Sequence, residues 1–228
     1  MSARLVEALS ILAAAAAPGE VAHLRTLLSL AAGQLAPVDR ALTRAPAPPL
    51  AVICELLHSL FQGKLLWRGY PPFLDGQQLH ELQREAMEQR VQSQRNNACW
   101  LSVPGELGER LASSPELLQL VTSWGGQCTA GRPMYTYYLE SGDHLAFHLD
   151  EPDAAISAIL MLTHLASSSG PNSRLLVLDE RGEAQDVDLK PGELLIFNGS
   201  TLLHGRESIR DGEEIHLLVF TFHSPKKP

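Results

Sequence analysis

The chemistry-bearing residues of this 228-residue chain concentrate between Met134 and Asp150. That stretch reads as two strands joined by a turn at Ser141-Gly142-Asp143, and it ends on His148-x-Asp150. Residues i and i+2 of a strand point to one face. A histidine and an aspartate two apart therefore aim an imidazole nitrogen and a carboxylate oxygen at one point. Such a pair is two-thirds of the 2-His-1-carboxylate set that holds non-haem Fe(II). Isolated His-x-Asp triplets are common by chance, so a third ligand has to come from elsewhere. His204 is the candidate, because it follows Pro191-Gly-Glu-Leu-Leu-Ile-Phe197, a strand that brings the chain back across the fold. The competing reading makes His148 a core histidine, Asp150 a turn cap before Glu151-Pro152, and His204 a surface residue.

The elements that must position these residues divide the chain in two. Residues 1–125 read as mainly helical and 126–228 as mainly β, packed into one compact unit. Leu5, Leu9 and Leu12, then Val21, Leu24, Leu27 and Leu28, recur at helical spacing with Pro18-Gly19 between them. Ala45 to Pro49 is a proline-rich joint, and Leu50–Phe61 reads as a buried helix. Trp67 to Phe73 reads as a loop that packs its aromatics on the sheet or closes as a lid. Asp75–Gln94 reads as a helix with one solvated face, and Ser114-Pro115 as a helix start. Strands are expected near 134–140, 144–150, 156–163, 174–179, 184–189, 194–198, 202–206 and 214–223. Turns at 179–183 and 190–193 and a serine-rich loop at 166–173 separate them. Eight short strands of this kind suit an α+β fold with a double-sheet jelly roll.

Composition bounds the partners. The net charge is −8, which disfavours a nucleic-acid backbone or an anionic membrane. No apolar run approaches the roughly 18–20 residues that cross a bilayer. Cys54, Cys99 and Cys128 are widely spaced without a CxxC, so they read as free thiols in a reducing compartment. The alanine-rich stretch around Ala13–Ala17 superficially resembles a signal segment, but Glu7 interrupts the apolar run. A cytoplasmic protein is the expectation.

From about Tyr135 to Phe222 the chain resembles the Fe(II)/2-oxoglutarate-dependent oxygenases, in the style of the prolyl 4-hydroxylase-like branch. Tyr138, Gly142, Asp143, His148 and Asp150 match that family's first motif. Lys190-Pro-Gly192, Leu195, Phe197 and His204 match its second. The resemblance implies a double-stranded β-helix with His148, Asp150 and His204 as iron ligands. It implies three open positions, two for 2-oxoglutarate and one for O2. The implied activity is hydroxylation of an amino-acid, peptide or natural-product substrate, with release of succinate and CO2. Retention of Asp150 disfavours a halogenase.

The family's basic partner for the distal 2-oxoglutarate carboxylate stands about ten residues after the second histidine. Here that position is Glu214, of the wrong sign, flanked by Glu213, Ile215 and His216. Arg206, two residues past His204, offers a substitute if its strand continues; its alternatives are a pair with Glu213 or Glu214, or solvent. Tyr138 is the phenol that the motif aims at the co-substrate, with plain strand packing as its alternative. His216 is a further candidate contact, as are Arg174 and Arg210. Two other functions stay open: an iron oxygenase that takes no 2-oxoglutarate, and a degenerate cupin-like metal-binding domain. The helices could frame the substrate side or form a dimer surface.

Overall fold

The computed structural model describes residues 11, 18–35, 48–168 and 170–224. The alanine-rich helix and most of the proline-rich joint expected from the sequence lie outside these residues. Helix α1 runs Pro18–Leu35 and α2 runs Pro48–Phe61. Strand β1 (Leu65–Gly69), helix α3 (Gly76–Arg90), the hairpin β2 (Gln94–Asn96) and β3 (Cys99–Ser102), and helices α4 (Glu106–Ala112) and α5 (Pro115–Gly125) follow. The remaining strands are β4 (Thr129–Ala130), β5 (Met134–Tyr138), β6 (Leu145–His148), β7 (Ile156–Leu165), β8 (Leu175–Leu178), β9 (Ala184–Val187), β10 (Leu194–Phe197), β11 (His204–Arg206) and β12 (Glu214–His223).

The strands form two antiparallel sheets. The major sheet has the order β1-β10-β7-β12-β5-β3-β2, with β4 pairing the end of β12, and the minor sheet has the order β6-β11-β8-β9. Alternation in each strand sorts side chains between two environments. On β7, β10 and β12, Ala158, Leu160, Ile196, Leu218 and Phe220 face the helical layer α3–α5, where they meet Leu82, Ala86, Leu117 and Val121. Their neighbours Ile159, Met161, Leu195, Phe197, Ile215 and Leu217 face the space between the sheets, together with Leu175 and Val177 of the minor sheet. The outer face of the minor sheet, with Phe147, Leu176, Leu178 and Leu203, is covered by Ala32 of α1 and Leu50, Cys54 and Leu57 of α2. The order of layers is thus α3–α5, major sheet, interior, minor sheet, α1–α2.

The helices before residue 125 therefore cover the outer faces of both sheets, and strands β1 and β3 extend the major sheet by pairing with β10 and β5. The sequence reads Trp67–Gly69 as loop; these residues form the second half of β1. They lack an alternating pattern because β1 is an edge strand with a register break between Leu65 and Trp67, ended by Pro71-Pro72. Trp67 and Phe73 pack against the helix–sheet core rather than standing free. The helix expected over 75–94 stops at Arg90, and Gln94 belongs to β2. Asp75 caps α3, accepting from the Gln78 amide at 2.8 Å, and Ser114 caps α5. Among the described residues no helix is long and apolar enough to cross a membrane.

Candidate metal centre

The alternation that builds the minor sheet also builds the site. Phe147 and Leu149 point outward to α1 and α2, so His148 and Asp150 point inward. Strand β6 ends at His148, but the next two residues stay tied. The Leu149 amide donates to Ser29 Oγ of α1 at 2.8 Å, and the Asp150 amide donates to the Gly199 carbonyl at 2.9 Å. His204 is the direct cross-strand partner of His148 in the β6–β11 pair. One ligand atom from each of His148, Asp150 and His204 can be chosen so that all lie within 4.8 Å of one another.

The local hydrogen bonds fix which atoms these are. His148 Nδ1 lies 3.0 Å from the Ala146 carbonyl, and His204 Nδ1 lies 2.9 Å from the Leu202 carbonyl. A carbonyl only accepts, so Nδ1 carries the proton in both rings and Nε2 keeps its lone pair. The two Nε2 atoms stand 3.4 and 3.5 Å from the same oxygen, Asp150 Oδ1. Asp150 Oδ2 accepts a short hydrogen bond from Ser157 Oγ, an inward residue of β7. Two neutral nitrogens and one carboxylate oxygen converge, with the outward atoms of all three side chains engaged. This is the orientation a divalent transition metal requires of its ligands. Burial pushes the Asp150 carboxyl up, but where a proton rather than a metal occupies Nε2 the charge of His204 and hydrogen bonds from both rings outweigh it and hold it well below the carboxylate range. A Cβ at Gly199 would strike both Ser157 Oγ and Asp150 Oδ2, so that position has no room for a side chain.

A second polar group lies deeper. Arg206 shares the inward face with His204, two residues along β11, and is 2% exposed. Its guanidinium stands 5.5 Å over the Tyr138 ring. Nη1 reaches the Ser173 carbonyl and hydroxyl only at 3.5 and 3.4 Å, and among the described residues Nε has no partner. Burial lowers its pKa, partly offset by Tyr138, Glu213 and Glu207. Burial likewise raises the Tyr138 phenol.

The carboxylates proposed as its mates are occupied elsewhere. Glu213 accepts from His164 Nε2 at 2.8 Å and from the Ser173 amide and hydroxyl, each at 2.8 Å. Glu214 pairs with Arg90 of α3 at 2.7 Å and with His216 Nε2 at 2.7 Å. His216 is not brought to the site. It packs edge-on against Tyr137, whose hydroxyl donates to Ala86 of α3, on the helical face of the major sheet. The reason is parity along β12: Ile215 and Leu217 take the inward positions, which sends Glu214 and His216 outward. Arg174 is held by Glu207 at 2.8 Å. His144 lies before the start of β6, with its amide on the Ala98 carbonyl, and His23, His58 and His80 are exposed on helices.

Beside the triad, a row of paired residues crosses the minor sheet: His148, His204, Val177, Gln185. Val177 and Gln185 line a cavity of about 270 Å³ where α2 meets the minor sheet, with Cys54, Leu57, Lys64 and Leu203 also on its wall; His148, Asp150 and His204 do not line it. Ser157, Ser173 and Gly199 were not singled out from sequence. Ser157 carried a signal, as a lone polar residue within the apolar run Ala154–Leu162.

No protein-family model matches the chain, and no curated protein matches it in sequence. Solved structures do. SnoN, a non-haem α-ketoglutarate-dependent epimerase from nogalamycin biosynthesis, aligns with a TM-score of 0.58 at 13% identity, over 78% of this chain and 82% of that one. A prolyl-4-hydroxylase from Pseudomonas putida aligns with a TM-score of 0.56 at 16% identity, over 75% of this chain and 98% of that one. The fold is that of the 2-oxoglutarate–Fe(II) oxygenases. HygX from Streptomyces hygroscopicus, crystallised with nickel, 2-oxoglutarate and hygromycin B, aligns with a TM-score of 0.57 at 12% identity, over 70% of this chain and 82% of that one. Identities of this size establish the oxygenase fold, a double-stranded β-helix, and leave activity to the site itself.

Proposed function

We propose that this protein is a non-haem Fe(II)- and 2-oxoglutarate-dependent dioxygenase that hydroxylates an amino-acid, peptide or natural-product substrate. The observation that carries this reading is the convergence of His148 Nε2, His204 Nε2 and Asp150 Oδ1, with Nδ1 of both rings and Asp150 Oδ2 tied to the protein. A mixed nitrogen and oxygen set of three suits Fe(II) and leaves coordination positions for a 2-oxo acid and O2. Iron bound there with 2-oxoglutarate supplies an oxidant able to break a substrate C–H bond, with release of succinate and CO2.

The chain's own contributions are positional. Ala146 and Leu202 fix the tautomers, Ser157 fixes the carboxylate, and Phe197 stacks edge-on against His204 at 4.7 Å. Leu195, Phe197 and Ile215 keep the interior apolar, which limits water at the reacting centre. By name SnoN is an epimerase and the P. putida protein a prolyl hydroxylase, and HygX is seen with hygromycin B bound, so similar folds serve different reactions and ligands.

An iron oxygenase without 2-oxoglutarate was suggested by Glu214 standing where a base is expected. That argument loses its force, because Glu214 faces α3 and never meets the interior. A cytoplasmic location belongs to the same reading, in which Cys54, Cys99 and Cys128 are free thiols in a reducing compartment. The test is anaerobic loading with Fe(II) and 2-oxoglutarate, then admission of O2. Succinate formed in step with O2 consumption, and lost in Asp150→Ala, is the expected result. Absence of both metal binding and succinate would refute the reading.

A further inference from the structure

Resting on that reading, we infer that Arg206 is the anchor for the distal carboxylate of 2-oxoglutarate, displaced from the last strand to the strand that carries His204. Four observations meet at this side chain. First, it is buried at 2% exposure, yet among the described residues it has no ion pair, and its Nε has no hydrogen-bond partner. A guanidinium taken from water without a counter-charge is costly, so an interior that keeps one is built for an anion. Second, the neighbouring carboxylates among the described residues are committed elsewhere. Glu213 is committed to His164 and Ser173, Glu214 to Arg90 and His216, and Glu207 to Arg174.

Third, the distance fits. Arg206 lies two residues beyond His204 on one face of β11, with pairs at Val177 and Leu175 marking the two levels. Two strand residues span roughly 6–7 Å. A five-carbon 2-oxo diacid, bound through its 2-oxo end at the triad, extends over about that length. Fourth, the surroundings select for a flat anion. Tyr138 from β5 stacks under the guanidinium, and Ser173 Oγ lies 3.4 Å from Nη1, while Leu175 and Val187 close the floor. The planar fork of an arginine matches a carboxylate bidentately, as a lysine would not. The last strand offers Ile215 and Leu217 at its inward positions, so no base competes from there.

The displaced anchor has a consequence that an ordinary structural arginine would not share. Without ligand it is a liability, so removing it should stabilise the fold while abolishing recognition. The experiment is binding to Mn(II)-loaded protein without O2, by calorimetry and thermal shift. The ligands are 2-oxoglutarate and 2-oxopentanoate, the same chain without the distal carboxylate. Wild type should prefer 2-oxoglutarate by about 100-fold or more, because truncating one side of a buried charge pair carries that scale of loss. Arg206→Met should erase the preference by weakening 2-oxoglutarate alone, and should raise the ligand-free Tm by roughly 2–4 °C. Arg206→Lys should retain part of the preference, and Glu214→Gln should retain all of it.

Arg206→Met that binds 2-oxoglutarate within about threefold of wild type, with a lowered Tm, would make Arg206 a packing residue and overturn the inference. If Arg206→Met does not fold, Arg206→Lys decides, and a preference for 2-oxoglutarate unchanged from wild type would overturn the inference. Equal stabilisation of wild type by the two acids would show that no distal carboxylate is read. Wild type that binds Mn(II) but neither acid would refute the 2-oxoglutarate reading itself, and the anchor with it.

Discussion

Two clusters in this molecule use the same residue types to opposite ends. Between the sheets stand His148, His204, Asp150 and Arg206. On the helical face of the major sheet stand His216, Glu214 and Arg90 against Tyr137. The outer cluster is electrically closed: Glu214 Oε1 takes Arg90 and His216, both at 2.7 Å, and burial pushes the His216 pKa down despite the Glu214 charge. The inner cluster is open. Its three candidate ligand atoms face one another, and among the described residues its arginine has no ion pair and an unpartnered Nε. A closed set of buried charges holds elements together; an open set is stable only when something else completes it.

Breaking the inner cluster should have the largest effect. His148→Ala or Asp150→Ala removes a ligand, whereas residues that merely orient ligands are worth about 10–100-fold in affinity, so loss of a ligand should cost at least about 1,000-fold. Dialysis against Mn(II) with metal analysis reads this directly. His216→Ala, a histidine of the closed cluster, should leave Mn(II) affinity unchanged. Equal losses in His148→Ala and His216→Ala would erase the distinction between the clusters.

A third carboxylate sharpens the contrast through pH. Burial pushes Glu213 up, but hydrogen bonds from His164, Ser173 and the Arg210 amide bring it from the ordinary 4.5 down to about 2. A carboxyl depressed on folding stabilises the protein fully above the unfolded pKa, near 4.5, and loses that contribution as pH falls towards 2. A depression of this size corresponds to about 3 kcal/mol. Glu213→Gln should therefore lower stability to urea at pH 6 by about that amount, with the gap to wild type closing as pH falls from 4.5 towards 2. A gap that stays constant over this range would show that the Glu213 charge is not what matters.

How much of this contrast the sequence carried follows from which interactions are local. The eight strands between Met134 and His223 were legible because alternation and turn residues are local signals, and the two histidines and Asp150 were legible by the same parity. Glu214 was not. Counting ten residues from His204 gives a position but not a face, and the face of β12 is set by its pairing of Ile215 with Tyr138 and with His164. The same pairing takes His216 away from the site. Edge strand β1 and the hairpin β2–β3 were missed because they are short, and their partners lie far along the chain. Ser29 and Gly199 hold the ends of the ligand strand from distant segments, and neither leaves a mark on local pattern.

Opening the closed cluster tests the comparison from its other side. Glu214→Gln keeps the shape but removes the charge shared by Arg90 and His216. A charge-assisted hydrogen bond in a partly buried setting contributes about 1.5–3 kcal/mol, and partial exposure of Arg90 favours the lower end. The expected result is a loss of about 2 kcal/mol in urea unfolding, with unaltered affinity for Mn(II) and for 2-oxoglutarate. Loss of metal affinity in this variant would mean that the two faces of the major sheet are coupled.

The smallest expected effect is the most discriminating, because it touches the inner cluster without removing a ligand. Ser157 donates to Asp150 Oδ2 from the only inward polar position between Ile156 and Met161 of β7. That bond leaves Oδ1 as the oxygen facing both Nε2 atoms. In Ser157→Ala the carboxylate can rotate, and a freely rotating ligand binds metal less tightly. Orienting partners of this kind contribute about 10–100-fold, and the Asp150 amide bond to Gly199 still holds the backbone, so about tenfold is expected. Ser157→Thr, which restores the hydroxyl, should recover most of it. A tenfold loss that threonine reverses assigns Ser157 to aiming the carboxylate. Unchanged affinity in Ser157→Ala would mean that the strand alone aims Asp150, and that the inner cluster is more rigid than its hydrogen bonds require.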